Sequence, residues 1–159
     1  GVPITAQSLG VMLAGCLLGA RRGFQAVALF LAAVAVGLPL LAGGRGGLGP
    51  FTAPSAGYLF GYAAAAFVIG LIMASLPRAQ SAIRTALNAF IASVLGGILF
   101  LHAAGIAGLM LLAKMPFSEA LKLDLAFVPG DLIKCVLCAI VVHTVARALP
   151  DWSFGGRSR

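Results

Sequence analysis

Residues 58–76 read YLFGYAAAAFVIGLIMASL, nineteen positions without a charge. About 20 apolar residues in helical form cross the hydrocarbon core of a bilayer. The stretch therefore predicts a membrane-spanning helix, Tyr58 to Leu76, with Tyr58 and Tyr62 one turn apart at its start. Gly70 and Ala74, four residues apart near its end, would let a second helix pack closely. The rest of the chain has the same character. Of 159 residues, 61% are hydrophobic and 9% charged, where a soluble domain carries about 25% charged residues. The chain is read as one all-α integral membrane unit over residues 1–159.

Working outward, Gly43 to Gly57 precedes the span and is dense in glycine and proline, which predicts a non-helical segment. It is either a flexible loop or a loop packed back onto the bundle, its bare backbone lining a pocket. Gly23 to Ala42 predicts another span, with Pro39 near its end. Leu9 to Ala20 is apolar but short for a full crossing; Gly15 and Gly19 give it a close-packing face, and Arg21 and Arg22 end it. After Leu76 come a basic loop with Arg78 and Arg84 and a fourth run from Thr85 to about Ala104. Gly105 to Lys114, and Phe117 to Ala126 with Ser118 as its cap, are expected as two short helices forming a lid over one end. Leu132 to Leu149 is the last span, and Pro150 stops it.

Alternating these spans puts Arg21, Arg22, Arg78, Arg84, Arg147, Arg157 and Arg159 on one side, and Arg45, Lys114 and Lys122 on the other. The basic excess marks the first side as cytoplasmic, with the C-terminus there, in a multi-pass protein of the cytoplasmic membrane. The net charge of +7 is thus topological. The bases stand singly or in pairs with few interleaved aromatics, so no nucleic acid is expected as partner; the lipid bilayer is.

The irregular and charged features then converge on the outer side. Phe127-Val128-Pro129-Gly130-Asp131-Leu132-Ile133-Lys134 opens the last helix with an acid and a base three residues apart, on one helical face. Two readings are open: Asp131 caps the helix and pairs locally with Lys134, or the two anchor a small polar ligand. Arg45 is either a snorkelling surface charge or a carboxylate partner. His102 lies near this end, His143 near the other, where a buried hydrogen bond is expected. Cys135 and Cys138 are read as small apolar packers. No phosphate loop occurs, no Ser/His/Asp set is expected at one membrane level, and no cluster suits a metal. No catalytic residue, metal or cofactor is expected, and the chain is not read as an enzyme.

Several motifs together resemble the BioY family. These are Pro3-Ile4-Thr5-x-Gln7, Leu13-Ala14-Gly15-x-Leu17-Leu18-Gly19-x-Arg21-x-Gly23, Gly37-Leu38-Pro39 and Ala42-Gly43-Gly44-x-Gly46-Gly47-Leu48, followed by Pro54-x-x-Gly57-Tyr58-Leu59-x-Gly61 and Pro129 to Lys134. They cover most of the chain in order. The resemblance implies the biotin-binding S component of an energy-coupling factor (ECF) transporter, partnered by a transmembrane coupling subunit and ATPase subunits. It implies a six-helix bundle, of which about five helices are present here, with the first, ahead of Pro3, truncated. It implies biotin as transported ligand, contacted by Asp131 and Lys134, with Tyr58, Arg45, Gly44, Gly47, Ser55 and Gln7 around the pocket. Ser55 stands where the family usually has threonine and keeps the hydroxyl. The alternatives are an S component for another vitamin and a non-transporting membrane scaffold or assembly subunit.

Overall fold

A computed structural model describes residues 5–77 and 81–156. Among them no β-strand occurs, and four helices are long and apolar enough to cross a membrane: Gln7–Ala35, Ala56–Ser75, Ala82–Leu112 and Val128–Ala148. Arg78, Arg157 and Arg159 lie outside the described residues.

The first of these, α1 (Gln7–Ala35), is a hairpin of two helical arms. Gly19 has φ +82° and ψ −179°, a conformation open essentially to glycine alone. There the chain reverses. A Cβ at Gly23 would sit 2.9 Å from the Ala14 carbonyl oxygen, whereas a continuous helix would hold those residues about 13 Å apart. The reversal comes two residues before the expected boundary at Arg21, and it explains how a short apolar run can stand beside a longer one. The second arm stops at Ala35, short of the expected Ala42. Leu38 precedes Pro39 and is biased against helix, and Gly37 turns with φ +109°.

The Gly-rich segment is not helix-free. α2 (Gly49–Thr52) is a single turn started by Pro50 in its first positions, where a missing N–H costs nothing. Nor is the segment loose. Gly47 N–H donates to Val34 O at 2.7 Å, and buried Leu41 packs with Val34 and Leu59. This is the packed-back arrangement.

α3 (Ala56–Ser75) is the helix against which the α1 hairpin rests. Gly15 lets it in: a Cβ there would be 2.7 Å from Ala66 O and Ile69. Gly70 abuts Ala20 in the same manner. α4 (Ala82–Ala92), a π-helical stretch (Ser93–Phe100) and α5 (Leu101–Leu112) run on as one rod. The expected break at Gly105 does not occur, because one glycine inside a packed helix is a small cost. Gly105 and Gly108 instead admit the Tyr58 ring and the Gly57 backbone. At 31 residues the rod is about 46 Å long, more than the ~30 Å hydrocarbon core.

α6 (Phe117–Leu125) forms the lid alone. Its cap position is Pro116, not Ser118, and no side chain caps it. α7 (Val128–Ala148) starts four residues earlier than the sequence implied, with Phe127 at the cap position and Pro129 tolerated in the first turn. The described part of the tail contains a 3₁₀ turn (Phe154–Gly156), whose Gly155 sits against Gly19; Trp152 Nε1 donates to Leu17 O at 2.8 Å.

The core lies where α1, α3, the rod and α7 meet. Met12, Cys16, Ala66, Ile69, Ala92, Cys135, Cys138 and Val142 are fully enclosed there. The cysteines pack as small side chains, with Cys138 Sγ and Cys16 Sγ in contact at 4.0 Å. His143 is half-buried and makes no side-chain hydrogen bond among the described residues, contrary to expectation.

Candidate functional site

At the end of the bundle opposite the Gly19 turn, a pocket opens between the first arm of α1, the Gly-rich segment, α3, the rod and α7. Its cavity volume is about 70 Å³. Gln7, Arg45, Ser55, Tyr58, Asp131 and Lys134 all line it, with Leu41, Leu59, Leu101 and Phe127 as the apolar part. The structure therefore brings together six of the eight residues singled out from the sequence. Gly44 (φ +69°) and Gly47 (φ +79°) are not on the wall; they supply left-handed turns that shape the segment carrying Arg45.

The floor is a continuous polar chain. Tyr58 Oη donates to Asp124 Oδ1 at 2.6 Å. Asp124 Oδ2 lies 2.8 Å from His102 Nδ1, and His102 Nε2 lies 3.0 Å from Asp131 Oδ2. Asp131 Oδ1 accepts from Lys134 Nζ at 2.7 Å and from Ser8 Oγ at 3.0 Å. Lys134 Nζ also donates to Ser8 Oγ at 2.9 Å. Five elements meet in this chain: α3, α6, α5, α7 and α1. His102, Asp124, Asp131 and Ser8 are all buried. A buried charge is tolerable only when paired and hydrogen-bonded, and here each carboxylate oxygen has a partner.

Asp131 does not cap α7. The helix begins at Val128, and the Asp131 N–H is already an intrahelical donor to Phe127 O at 3.0 Å. Its carboxylate is free to turn inward, still within the first turn where the helix dipole favours an anion. Tertiary partners on α1 and α5 hold it, and Lys134 is the local one.

Three polar groups of the wall remain open toward the pocket. Gln7 Nε2 is a buried donor without a partner among the described residues, while its Oε1 accepts from Thr5 Oγ1 at 3.1 Å. Ser55 Oγ makes no side-chain hydrogen bond among the described residues, and Arg45 is exposed, its Nε donating to Ala42 O at 3.1 Å. Among the described residues Arg45 makes no ion pair. A native fold leaves a buried donor unmet only where something else meets it.

Sequence reading gives Ser8, Asp124 and His102 no role in the site. The available signal was their isolation: Asp124 is flanked by Leu123 and Leu125, and His102 interrupts a long apolar run. Ser8, His102 and Asp131 do share one level, contrary to expectation. They do not form a nucleophile–base pair, since Ser8 donates to the carboxylate and not to the imidazole. No group of three or more His, Cys, Asp or Glu among the described residues could hold a metal ion.

An all-helical, multi-pass membrane protein with a half-polar pocket at one end of its bundle is the class that fold and site define. The profile of the BioY family matches residues 1–151, and the chain belongs to that family. It is 48% identical over 160 residues to the biotin transporter BioY of Rhodobacter capsulatus, covering 95% of this chain and 82% of the relative. To the biotin transporter BioY of Rhizobium etli it is 47% identical over 150 residues, covering 94% and 80%. To the probable biotin transporter BioY of Bacillus subtilis it is 41% identical over 148 residues, covering 93% and 77%. The fold matches a 2.1 Å crystal structure of the S-component for biotin from an ECF-type ABC transporter. The TM-score is 0.78 at 33% identity, over 92% of this chain and 76% of that one.

Counting the two arms of α1 separately, the described residues contain five long helical segments, the arms, α3, the rod and α7, in keeping with the about five expected.

Proposed function

We propose that this chain binds biotin in the outer pocket and serves as the S component of an ECF transporter in the cytoplasmic membrane of a prokaryote. The observation that carries the reading is the pocket wall. It offers an unpartnered buried amide donor (Gln7), an acceptor (Asp131) and two cations (Arg45, Lys134) around an apolar middle. Biotin presents a ureido group, an apolar ring and chain, and a carboxylate. The ureido carbonyl meets Gln7 Nε2, and a ureido N–H meets the Asp131 end of the floor. The valeryl chain lies along Leu41, Leu59 and Phe127. The carboxylate reaches Arg45 at the mouth, which also receives Ser55 Oγ as a donor. Lys134 has spent two of its three N–H groups on Asp131 and Ser8, so it keeps one for the ligand.

The chain carries no phosphate-binding loop. Energy for transport comes from ATPase partners through a transmembrane coupling subunit. The end bearing the Gly19 turn, Arg21, Arg22 and the tail faces the cytoplasm by the excess of basic residues.

The test is thermal unfolding of the detergent-solubilised chain with and without biotin. Ligand at a thousand times its dissociation constant stabilises by about 4 kcal/mol. Lys134→Ala removes that shift while leaving a folded bundle. No shift in the unaltered chain overturns the reading and favours a scaffold role.

A further inference from the structure

We propose that His102 is a positioning residue for this pocket and that it acts as an imidazolium, its second ring proton belonging to the binding-competent state. The inference rests on the biotin reading of the pocket. It starts from the fact that both ring nitrogens face carboxylate oxygens, Asp124 Oδ2 at 2.8 Å and Asp131 Oδ2 at 3.0 Å.

Each of those contacts needs one proton. A neutral imidazole has one N–H and one lone pair, so it satisfies one carboxylate and repels the other. The second proton must sit on the ring or on a carboxyl group. The other oxygen of each carboxylate already accepts strong donors: Tyr58 on Asp124, and Lys134 and Ser8 on Asp131. Imidazole is more basic than a carboxylate by about 2.5 pKa units in free residues. The ring is therefore where the proton goes.

Charge balance gives the same answer. The groups facing His102 are Asp124 from α6, Asp131 and Lys134 from α7, and Tyr58 from α3. The arm of α1 contributes Ser8 and Gln7, neither of which titrates, while Tyr62 and Arg45 stand elsewhere on the pocket wall. With His102 charged, two cations meet two anions and the buried floor is neutral. With His102 neutral, the floor carries one uncompensated anion at the membrane-embedded end, which is costly and repels an anionic ligand. The proton thus lets Lys134 keep an N–H for an incoming group, and it ties the lid helix α6 to the residue that contacts ligand.

The first test needs no biotin and no substitution at His102. His143→Gln leaves one imidazole in the full chain, and ¹⁵N-histidine NMR reads both ring nitrogens near neutral pH. Protons on both nitrogens are expected. One protonated and one bare nitrogen overturns the proposal. The second test is biotin titration between pH ~6 and ~9, below the ordinary pKa of lysine and tyrosine. Affinity in the unaltered chain falls as pH rises through the titration of His102, by up to ten-fold per pH unit, because one bound proton is linked to binding. His102→Gln carries its N–H donors on one nitrogen and has a carbonyl acceptor at the other end, so it cannot donate to both carboxylates as the imidazolium does. It binds about ten-fold or more weakly, and its profile lacks the histidine step. Profiles of the same shape in the two proteins overturn the proposal. Absence of biotin binding in the unaltered chain sinks the biotin reading instead, and the NMR result then still decides the imidazolium.

Discussion

The reversal at Gly19 sets up a perturbation whose size follows from geometry. Gly19→Ala asks an L-residue to hold φ +82° with ψ −179°, a region that costs a side chain about 1–3 kcal/mol. The new Cβ also lands 2.5 Å from the Gly155 carbonyl carbon and oxygen and 2.6 Å from Gly156 N. These are backbone atoms, which cannot swing aside as a flexible side chain would. Either the tail is pushed off or the hairpin opens, at an overpacking cost of about 1–3 kcal/mol. The sum is about 2–6 kcal/mol. For a chain of this size each kcal/mol lowers Tm by about 2–4 °C, so we expect a fall of at least about 4 °C. The chain has one tryptophan, Trp152, and its indole N–H is bonded to Leu17 O beside the turn. Its emission is therefore a local reporter: detachment of the tail shifts it red while the far-UV helix signal stays. Unchanged Tm together with unchanged Trp152 emission would refute the hairpin geometry and the tail contact.

Asp131→Asn removes the counter-charge of half-buried Lys134 and weakens the acceptor facing His102. Losing a hydrogen bond to a charged group costs about 1.5–3 kcal/mol, so biotin affinity should drop by about one to two decades in calorimetric titration; unchanged affinity removes Asp131 from the site. Gln7→Met should separate binding from stability. The unmet donor disappears, which offsets up to about 1–3 kcal/mol of desolvation, so Tm without biotin holds or rises while biotin binds about ten-fold more weakly. A fall in both would assign Gln7 a structural role only. Tyr58→Phe keeps the edge-on ring contacts to His102 and Phe127 but loses the bond to Asp124. Chemical or thermal unfolding should show a loss of about 1.5–3 kcal/mol, and no loss would mean that the lid is held by packing alone.

The membrane class, the number of long helices and the clustering of polar features at one end were all legible in the chain itself. They follow from local quantities: the length of each apolar run, the placement of arginines, and the position of Pro and Gly. Residue types also pointed to Asp131 and Lys134, because a charged side chain stands out against an apolar background, while Tyr58 and Gln7 came from the family resemblance. What the sequence could not show was partnership. Asp131 reads as either a cap or a ligand anchor, since nothing near it in the chain says that Ser8 and His102 will arrive 123 and 29 residues away. Asp124 reads as one charge of a mixed-charge helix until α6 folds over Tyr58. Gly105 looks like a break until the Tyr58 ring is seen lying across it. Gly19 looks like a packing glycine, and only the fold makes it the turn. Hydrophobic length is a property of a segment, so sequence determines it. A buried charge is stable only through groups brought from other helices, so the tertiary structure alone decided which polar residues form the site and which merely flank it.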